Sequence, residues 1–241
     1  MSDDRSLGLT VGGGGAFAAA HVGVLQVLDD RGIRPGIVTG TSSGALVAAA
    51  YAAELELETI EHATREFRWA SIAAWSMRPR WGLLDSGVVE DTVRRALGRD
   101  PMIEDLPRRF AAVATDLRTR RPVVIDTGLL SRALRSTIAV PGLLPPVARR
   151  GTLLADGGMV DNVPVAAARA LGAARVIVVR LHASWENVRM MRTVTRTAEL
   201  VADPSVVLIQ PEMERMAQWR TTDVPRLIEE GRRAAEKALD G

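Results

Sequence analysis

The chain has 241 residues, no cysteine and a formal charge of only +2, with 31 basic against 29 acidic residues. That length suits one α/β domain over residues 1–241, and the absent cysteines exclude disulfides, thiolate metal sites and a cysteine nucleophile. Lys237 is the one lysine, which excludes a phosphate-binding Walker loop, and arginines scattered along the chain give no nucleic-acid footprint.

No stretch approaches the roughly 20 apolar residues of a membrane span, and Met1-Ser2-Asp3-Asp4-Arg5 is acidic rather than leader-like. A cytoplasmic, unexported protein is the expectation. Leu7 to Val11 reads as a buried strand that runs into Gly12-Gly13-Gly14-Gly15, and Ala16 to Asp30 follows with helical spacing of Phe17, Ala20, Val24, Leu25 and Leu28. A glycine loop at a helix start leaves backbone N–H groups unhindered, so it can cradle an anion: a dinucleotide pyrophosphate or the oxyanion of acyl transfer. Gly13-x-Gly15-x-x-Ala18 fits the dinucleotide spacing, but the next strand ends at Val38-Thr39-Gly40 without the carboxylate a ribose needs. No cofactor is expected.

That second strand leads instead into Gly40-Thr41-Ser42-Ser43-Gly44, followed by an alanine-rich helix. The pattern G-x-S-x-G between strand and helix is a nucleophile elbow, with Gly40 and Gly44 placed where bulk would clash and Ser42 at the apex. A helix beginning at Ser43 also turns its free N–H groups and positive dipole end toward whatever Ser42 attacks.

Glu54 to Ala70 continues as helix, and Phe67 to Leu84 mixes Trp69, Trp75 and Trp81 with arginines. Two roles fit that segment, a cover packed over the core or a contact at a lipid–water boundary. Val88 to Leu97 has helical spacing, Arg109 to Thr115 and Pro122 to Thr127 read as strands, and Leu129 to Ile138 as a helix. Pro141-Gly142 and Pro145-Pro146 then hold the chain in a rigid loop. Thr152 to Asp156 is a short strand delivering a carboxylate into Gly157-Gly158, and a helix near Pro164 takes Asn162 or Asp161 as its cap. On its own Asp156 suits a structural turn as well as acid–base chemistry. Strands at Arg175 to Leu181 and Ser205 to Gln210, with helices at Glu186 to Leu200 and Asp223 to Leu239, complete an α/β alternation around a mostly parallel sheet.

Taken in order, these blocks resemble the patatin-like phospholipase family. The resemblance is carried by Gly12-Gly13-Gly14-Gly15-Ala16 with His21-x-Gly23-Val24-Leu25, Gly40-Thr41-Ser42-Ser43-Gly44-Ala45, Ala114-Thr115-Asp116-Leu117, Pro141-Gly142-x-x-Pro145-Pro146-Val147, and Asp156-Gly157-Gly158 leading to Asp161-Asn162-Val163-Pro164. It implies a three-layer α/β/α sandwich and a Ser–Asp dyad without histidine. Carried onto this chain, Ser42 is the nucleophile and Asp156 the general base. The N–H groups of Gly13, Gly14 and Gly15, with Ser43, are the oxyanion donors. The implied substrate is an acyl ester or phospholipid, and no metal is implied; an expectation of peripheral membrane contact rests on Trp69, Trp75 and Trp81.

One departure stands out. The family usually continues Ala-Arg-Gly or Ala-Lys-Gly after the glycines, whereas Phe17 and Ala18 follow Ala16 here. Two rivals to the dyad follow from the sequence. One is a Ser42–Asp156–His182 triad in the chain order of an α/β-hydrolase; the other is a lipid-binding or regulatory protein whose esterase site has lapsed. His21 and His62 sit in helical patterns and read as packing or surface residues.

Overall fold

The computed structural model describes residues 4–66, 87–181, 197–213, 216 and 223–240. Trp69, Trp75, Trp81, His182 and the first part of the helix expected from Glu186 lie outside the described residues.

One eight-stranded sheet organises the rest. Its strands are β1 (Asp4–Val11), β2 (Pro35–Thr41), β3 (Arg109–Asp116), β4 (Pro122–Ile125), β5 (Val147–Arg149), β6 (Thr152–Asp156), β7 (Arg175–Val179) and β8 (Val206–Ile209). The order is β5-β6-β3-β2-β1-β7-β8, with β4 also paired to β3. β3, β2, β1, β7 and β8 run parallel, while β4, β5 and β6 join antiparallel at one end.

Strand periodicity assigns the two faces. Leu7, Leu9, Val11, Val38, Ile177 and Val179 point into the larger core, and Ile37, Val176 and Val178 into the smaller one. The larger face is covered by α1 (Ala19–Asp30), α2 (Ser43–Ala52), α3 (Leu57–Glu66), α4 (Gly87–Leu97), α5 (Leu130–Thr137) and α8 (Val224–Asp240). The opposite face carries α6 (Val165–Ala170) and α7 (Thr197–Ala202) through Ala168 and Leu200. The molecule is therefore the expected three-layer α/β/α sandwich.

Local differences from the sequence reading have physical causes. Glu54 does not open a helix; it closes α2 at φ 58°, with Leu55 N–H reaching Ala50 O at 3.1 Å in a Schellman-type end, so α3 starts only at Leu57. The segment after Pro145-Pro146 is not purely loop: Val147–Arg149 pairs with Thr152–Asp156 across a tight Arg150-Gly151 turn in which both residues have positive φ. Neither Asp161 nor Asn162 caps α6. Pro164 precedes the helix with no side-chain cap bond, because the Asn162 side chain is turned toward the glycine loop.

Candidate active site

β3 is the template on which the site assembles. β4 occupies one of its edges over Ala112 to Thr115, so β2 and β6 share the other edge, end to end. β2 finishes with Thr41 opposite Val113, and β6 finishes with Asp156 opposite Ala114. Adjacent residues of one strand thus set Ser42 and Asp156 side by side. Ser42 Oγ donates to Asp156 Oδ2 at 2.6 Å, and the two residues are 6% and 1% exposed.

The elbow geometry explains its glycines. A Cβ on Gly40 would lie 2.6 Å from Ala45 Cα, and one on Gly44 would collide with the carbonyl oxygens of Val11 and Gly12. Without those side chains α2 folds back over its own strand and presses against the end of β1. Ser42 takes φ 52° and ψ −129°, a conformation ordinarily left to glycine.

Thr137 holds that conformation in place. Ser42 N–H donates to Thr137 Oγ1 at 2.8 Å, and the Thr137 hydroxyl donates in turn to Val113 O. Where β2 leaves the sheet, a side-chain hydroxyl therefore bridges the two backbone groups that the ladder would otherwise leave unmet. Two residues on, Ala139 O accepts Asp156 N–H at 2.9 Å. The chain at the end of α5 thus grips both members of the pair.

The glycine loop is held just as closely. Asn162 accepts from Gly13 N–H through Oδ1 and donates to Gly13 O through Nδ2, each at 3.1 Å. Gly14 N–H donates to Ser43 Oγ at 3.0 Å. Fully buried His21 meets Gly12 O through Nε2 at 2.8 Å, and burial pushes its pKa down to about 4, so the ring is neutral and Nε2 carries the donated hydrogen. His21 is a support of the loop, a role its place in a helical pattern did not signal. His62 is the surface residue expected, paired with Glu66 on α3.

Of the four residues read as oxyanion donors, Gly13 and Gly14 have their N–H groups engaged within the protein. Among the described residues the N–H groups of Gly15 and Ser43 have no acceptor, as befits the first residue of each helical turn. Phe17 is buried in the larger core, and Ala18 has φ −57° and ψ −17°, a helical conformation alanine adopts without strain. Replacing the usual glycine there costs the backbone nothing.

Asp156 Oδ1 accepts Gly158 N–H at 2.8 Å, and Asp156 O accepts the Thr115 hydroxyl at 2.7 Å. Burial pushes its carboxyl up to about 6, against the pull of the bonds from Ser42 and Gly158. A carboxylate at this value is a far better proton acceptor than an exposed one.

Beside the elbow a pocket of about 160 Å³ opens between α2, α3, α4 and α5. Ser43, Leu46, Ile60, Val93, Leu134 and Ile138 contribute to its almost wholly apolar wall. Among the described residues no helix is long and apolar enough to cross a membrane, and no group of His, Asp and Glu suits a metal ion.

Residues 9–169 match the family model described as patatin-like phospholipase. An NTE family protein of Mycobacterium tuberculosis strain H37Rv is 39% identical over 162 residues, covering 66% of this chain and 27% of that protein. Lysophospholipase NTE1 of Yarrowia lipolytica is 33% identical over 180 residues, 73% of this chain and 12% of that protein. The chain thus spans only a minor part of the length of these curated relatives. Among solved structures, VipD from Legionella pneumophila matches with a TM-score of 0.58 at 13% identity, over 99% of this chain and 67% of that one. ExoU from Pseudomonas aeruginosa, solved in complex with SpcU, matches with a TM-score of 0.56 at 16% identity, over 100% of this chain and 54% of that one. These likenesses are ones of fold. Since the family match runs from β1 into α6 and takes in every element that brings Ser42, Asp156 and the glycine loop together, the chain belongs to the patatin-like phospholipase family.

Proposed function

We propose that this protein is a serine acyl hydrolase acting on lipid esters through a Ser42–Asp156 dyad. The observation that carries the reading is the 2.6 Å bond from Ser42 Oγ to Asp156 Oδ2. In a triad an imidazole stands between serine and carboxylate; here the carboxylate takes that place itself, which favours the dyad over a base at His182. Asp156 accepts the Ser42 proton as the hydroxyl oxygen attacks the ester carbonyl and forms the tetrahedral oxyanion. The N–H groups of Gly15 and Ser43 donate to that oxyanion, on a loop fixed by His21, Asn162 and the Ser43 hydroxyl. Collapse releases the alcohol, which takes the proton from Asp156. Water, deprotonated by Asp156, then attacks the acyl-serine, and collapse frees the fatty acid while Asp156 returns the proton to Ser42 Oγ.

No arginine or lysine stands at position 17, so stabilisation of the oxyanion falls to backbone donors and the dipole of α2. The apolar pocket beside Ser43 suits one acyl chain and gives the reading its substrate class. A name among the relatives, lysophospholipase, fits a single-chain substrate. Each methylene buried is worth about 0.8 kcal/mol, so kcat/KM should rise about fourfold per methylene until the pocket is filled.

The test is hydrolysis of p-nitrophenyl esters of increasing chain length and of a lysophospholipid by wild type, Ser42→Ala, Asp156→Asn and His182→Ala, with fluorophosphonate labelling of Ser42. Activity in wild type and His182→Ala alone supports the dyad. A dead His182→Ala with normal folding returns the triad. Failure of wild type on every ester, with Ser42 unlabelled, would mean a lapsed site.

A further inference from the structure

Two hairpins project past the sheet on the side where Ser42 and the glycine loop lie. β3 continues beyond Val113, the partner of Thr41, to Asp116 before turning through Leu117 to Arg121 into β4. β6 runs back toward the site from its own turn at Arg150-Gly151. The two are joined at their outer ends, where Leu117 N–H donates to Leu153 O at 3.0 Å. Leu117 is four residues past Val113, so at about 3.3 Å per residue it stands about 13 Å beyond the level of the elbow.

The composition of these tips is unusual. Leu117 and Leu153, opposite one another and hence on one face, are 37% and 51% exposed. In the same turns Arg118, Arg120 and Arg150 are exposed, as is Arg121 at the base of the β3–β4 turn, on the face opposite the leucines. The carboxylate within the β3–β4 turn, Asp116, is occupied by the N–H groups of Arg118 and Thr119 and the Thr119 hydroxyl. Asp126 and Glu104 act on partly buried Arg149. Among the described residues none of the four exposed arginines forms an ion pair, though Arg118 lies close enough to Asp116 to help the Thr119 hydroxyl hold that carboxyl below the usual range.

Backbone conformation adds an independent sign. Arg120 has φ 54° and Arg150 φ 48°, at turn positions that glycine or asparagine fills at lower energy. Each hairpin accepts strain at an exposed arginine of its turn.

We propose that the paired tips form a docking surface for an anionic phospholipid bilayer, with Leu117 and Leu153 entering the headgroup boundary and Arg118, Arg120, Arg121 and Arg150 meeting lipid phosphates. The surface brings the bilayer to the rim beside Ser42; that consequence rests on the acyl-hydrolase reading, while the docking does not. Guanidinium groups pair with phosphate in two-point fashion, and an apolar pair beside arginine-bearing turns matches the interfacial zone.

The test is co-sedimentation with vesicles of ether-linked lipid, which the protein cannot hydrolyse, made of phosphatidylcholine alone or with about one third phosphatidylglycerol. Wild type should bind the anionic vesicles, lose them in high salt and ignore neutral ones. Arg120→Asn with Arg150→Asn should weaken anionic binding roughly thirtyfold. The same pair should raise the melting temperature and leave hydrolysis of p-nitrophenyl butyrate unchanged. Leu117→Ser with Leu153→Ser should weaken vesicle binding while sparing heparin binding.

Absence of wild-type binding, arginine variants that bind as wild type, or leucine variants that bind vesicles as wild type would each overturn the proposal. The last outcome, with heparin bound equally well, would mark a general polyanion site. Loss of all ester hydrolysis with vesicle binding intact sinks the hydrolase reading and leaves the docking surface standing.

Discussion

Ser42 and Arg150 share nearly the same left-handed φ, 52° and 48°, in opposite surroundings. Ser42 is enclosed: Thr137 holds its N–H, Asp156 its hydroxyl, and Gly13 and Gly44 bring the neighbouring backbone against it. Arg150 stands exposed at the end of a three-residue strand, with only the hairpin to maintain it. Buried strain is over-determined by its neighbours, so removing one partner disturbs both conformation and chemistry. Exposed strain is carried locally, so relieving it should stabilise the fold and touch only what the side chain meets outside.

The largest effects belong to the enclosed region. Ser42→Ala should lower ester hydrolysis by about 10⁴-fold or more, and adding Asp156→Asn should lower it little further, because groups acting as a unit are not additive. Steady-state kinetics of the two single variants and the double variant check this; additive losses would separate the roles.

Stability moves the other way. Asp156 has its folded pKa raised from 3.8 to about 6, so its contribution to stability is fully present below the unfolded value and is lost as pH rises through about 6. Asp156→Asn should therefore stabilise the protein at pH 7 by up to about 3 kcal/mol, with the advantage fading as pH falls toward 4. Urea unfolding at several pH values reads it directly. Under the dyad reading, the same shift should give activity an acid limb near pH 6 rather than the persistence toward pH 5 of an unshifted carboxylate. A histidine base would give a similar limb, so the pH profile cannot separate Asp156 from His182, and the variants must.

His21 has the opposite sign. Its pKa is lowered from 6.5 to about 4, so its contribution is present above the unfolded value and lost as pH falls through about 4. His21→Gln, which keeps a donor for Gly12 O, should remove about 3 kcal/mol of that acid sensitivity while retaining most activity. Measured beside Asp156→Asn, it dissects two opposed pH dependences within one site.

Thr137→Val should cost about 1–3 kcal/mol by leaving Ser42 N–H and Val113 O without their bridge, and should lower kcat about 100-fold through misplacement of the nucleophile. Thr137→Ser should restore both. A Val variant with unchanged kcat would show that Ser42 needs no such support. At the tips, Arg120→Gly and Arg150→Gly should each stabilise by about 1 kcal/mol, the smallest change and the one of opposite sign to the buried tether. Thermal melts of the two variants sharpen the contrast.

Much of this was legible before any coordinates. Glycines at 12–15, 40 and 44 announce turns because no other residue tolerates such close backbone approach, and apolar runs such as Arg175 to Leu181 can only be buried strands. What stayed hidden depends on long-range pairing. Thr137 is an ordinary residue at a helix end until β3 brings Val113 against it, and Asn162 looks like a helix cap until β1 delivers Gly13. The β5–β6 hairpin was obscured because its turn carries arginine where the expected signal is Asn-Gly.

The end-to-end arrangement of β2 and β6 on one edge of β3 also fixes when the proposed dyad is assembled as the protein folds. Ser42 and Asp156 are 114 residues apart in sequence and meet only after β6 has found its register. Closing so long a loop is slow compared with forming α1 or the β3–β4 hairpin. On refolding from urea, esterase activity under the proposed dyad should consequently return after the helical signal has recovered, reporting when β2 and β6 have both docked on β3.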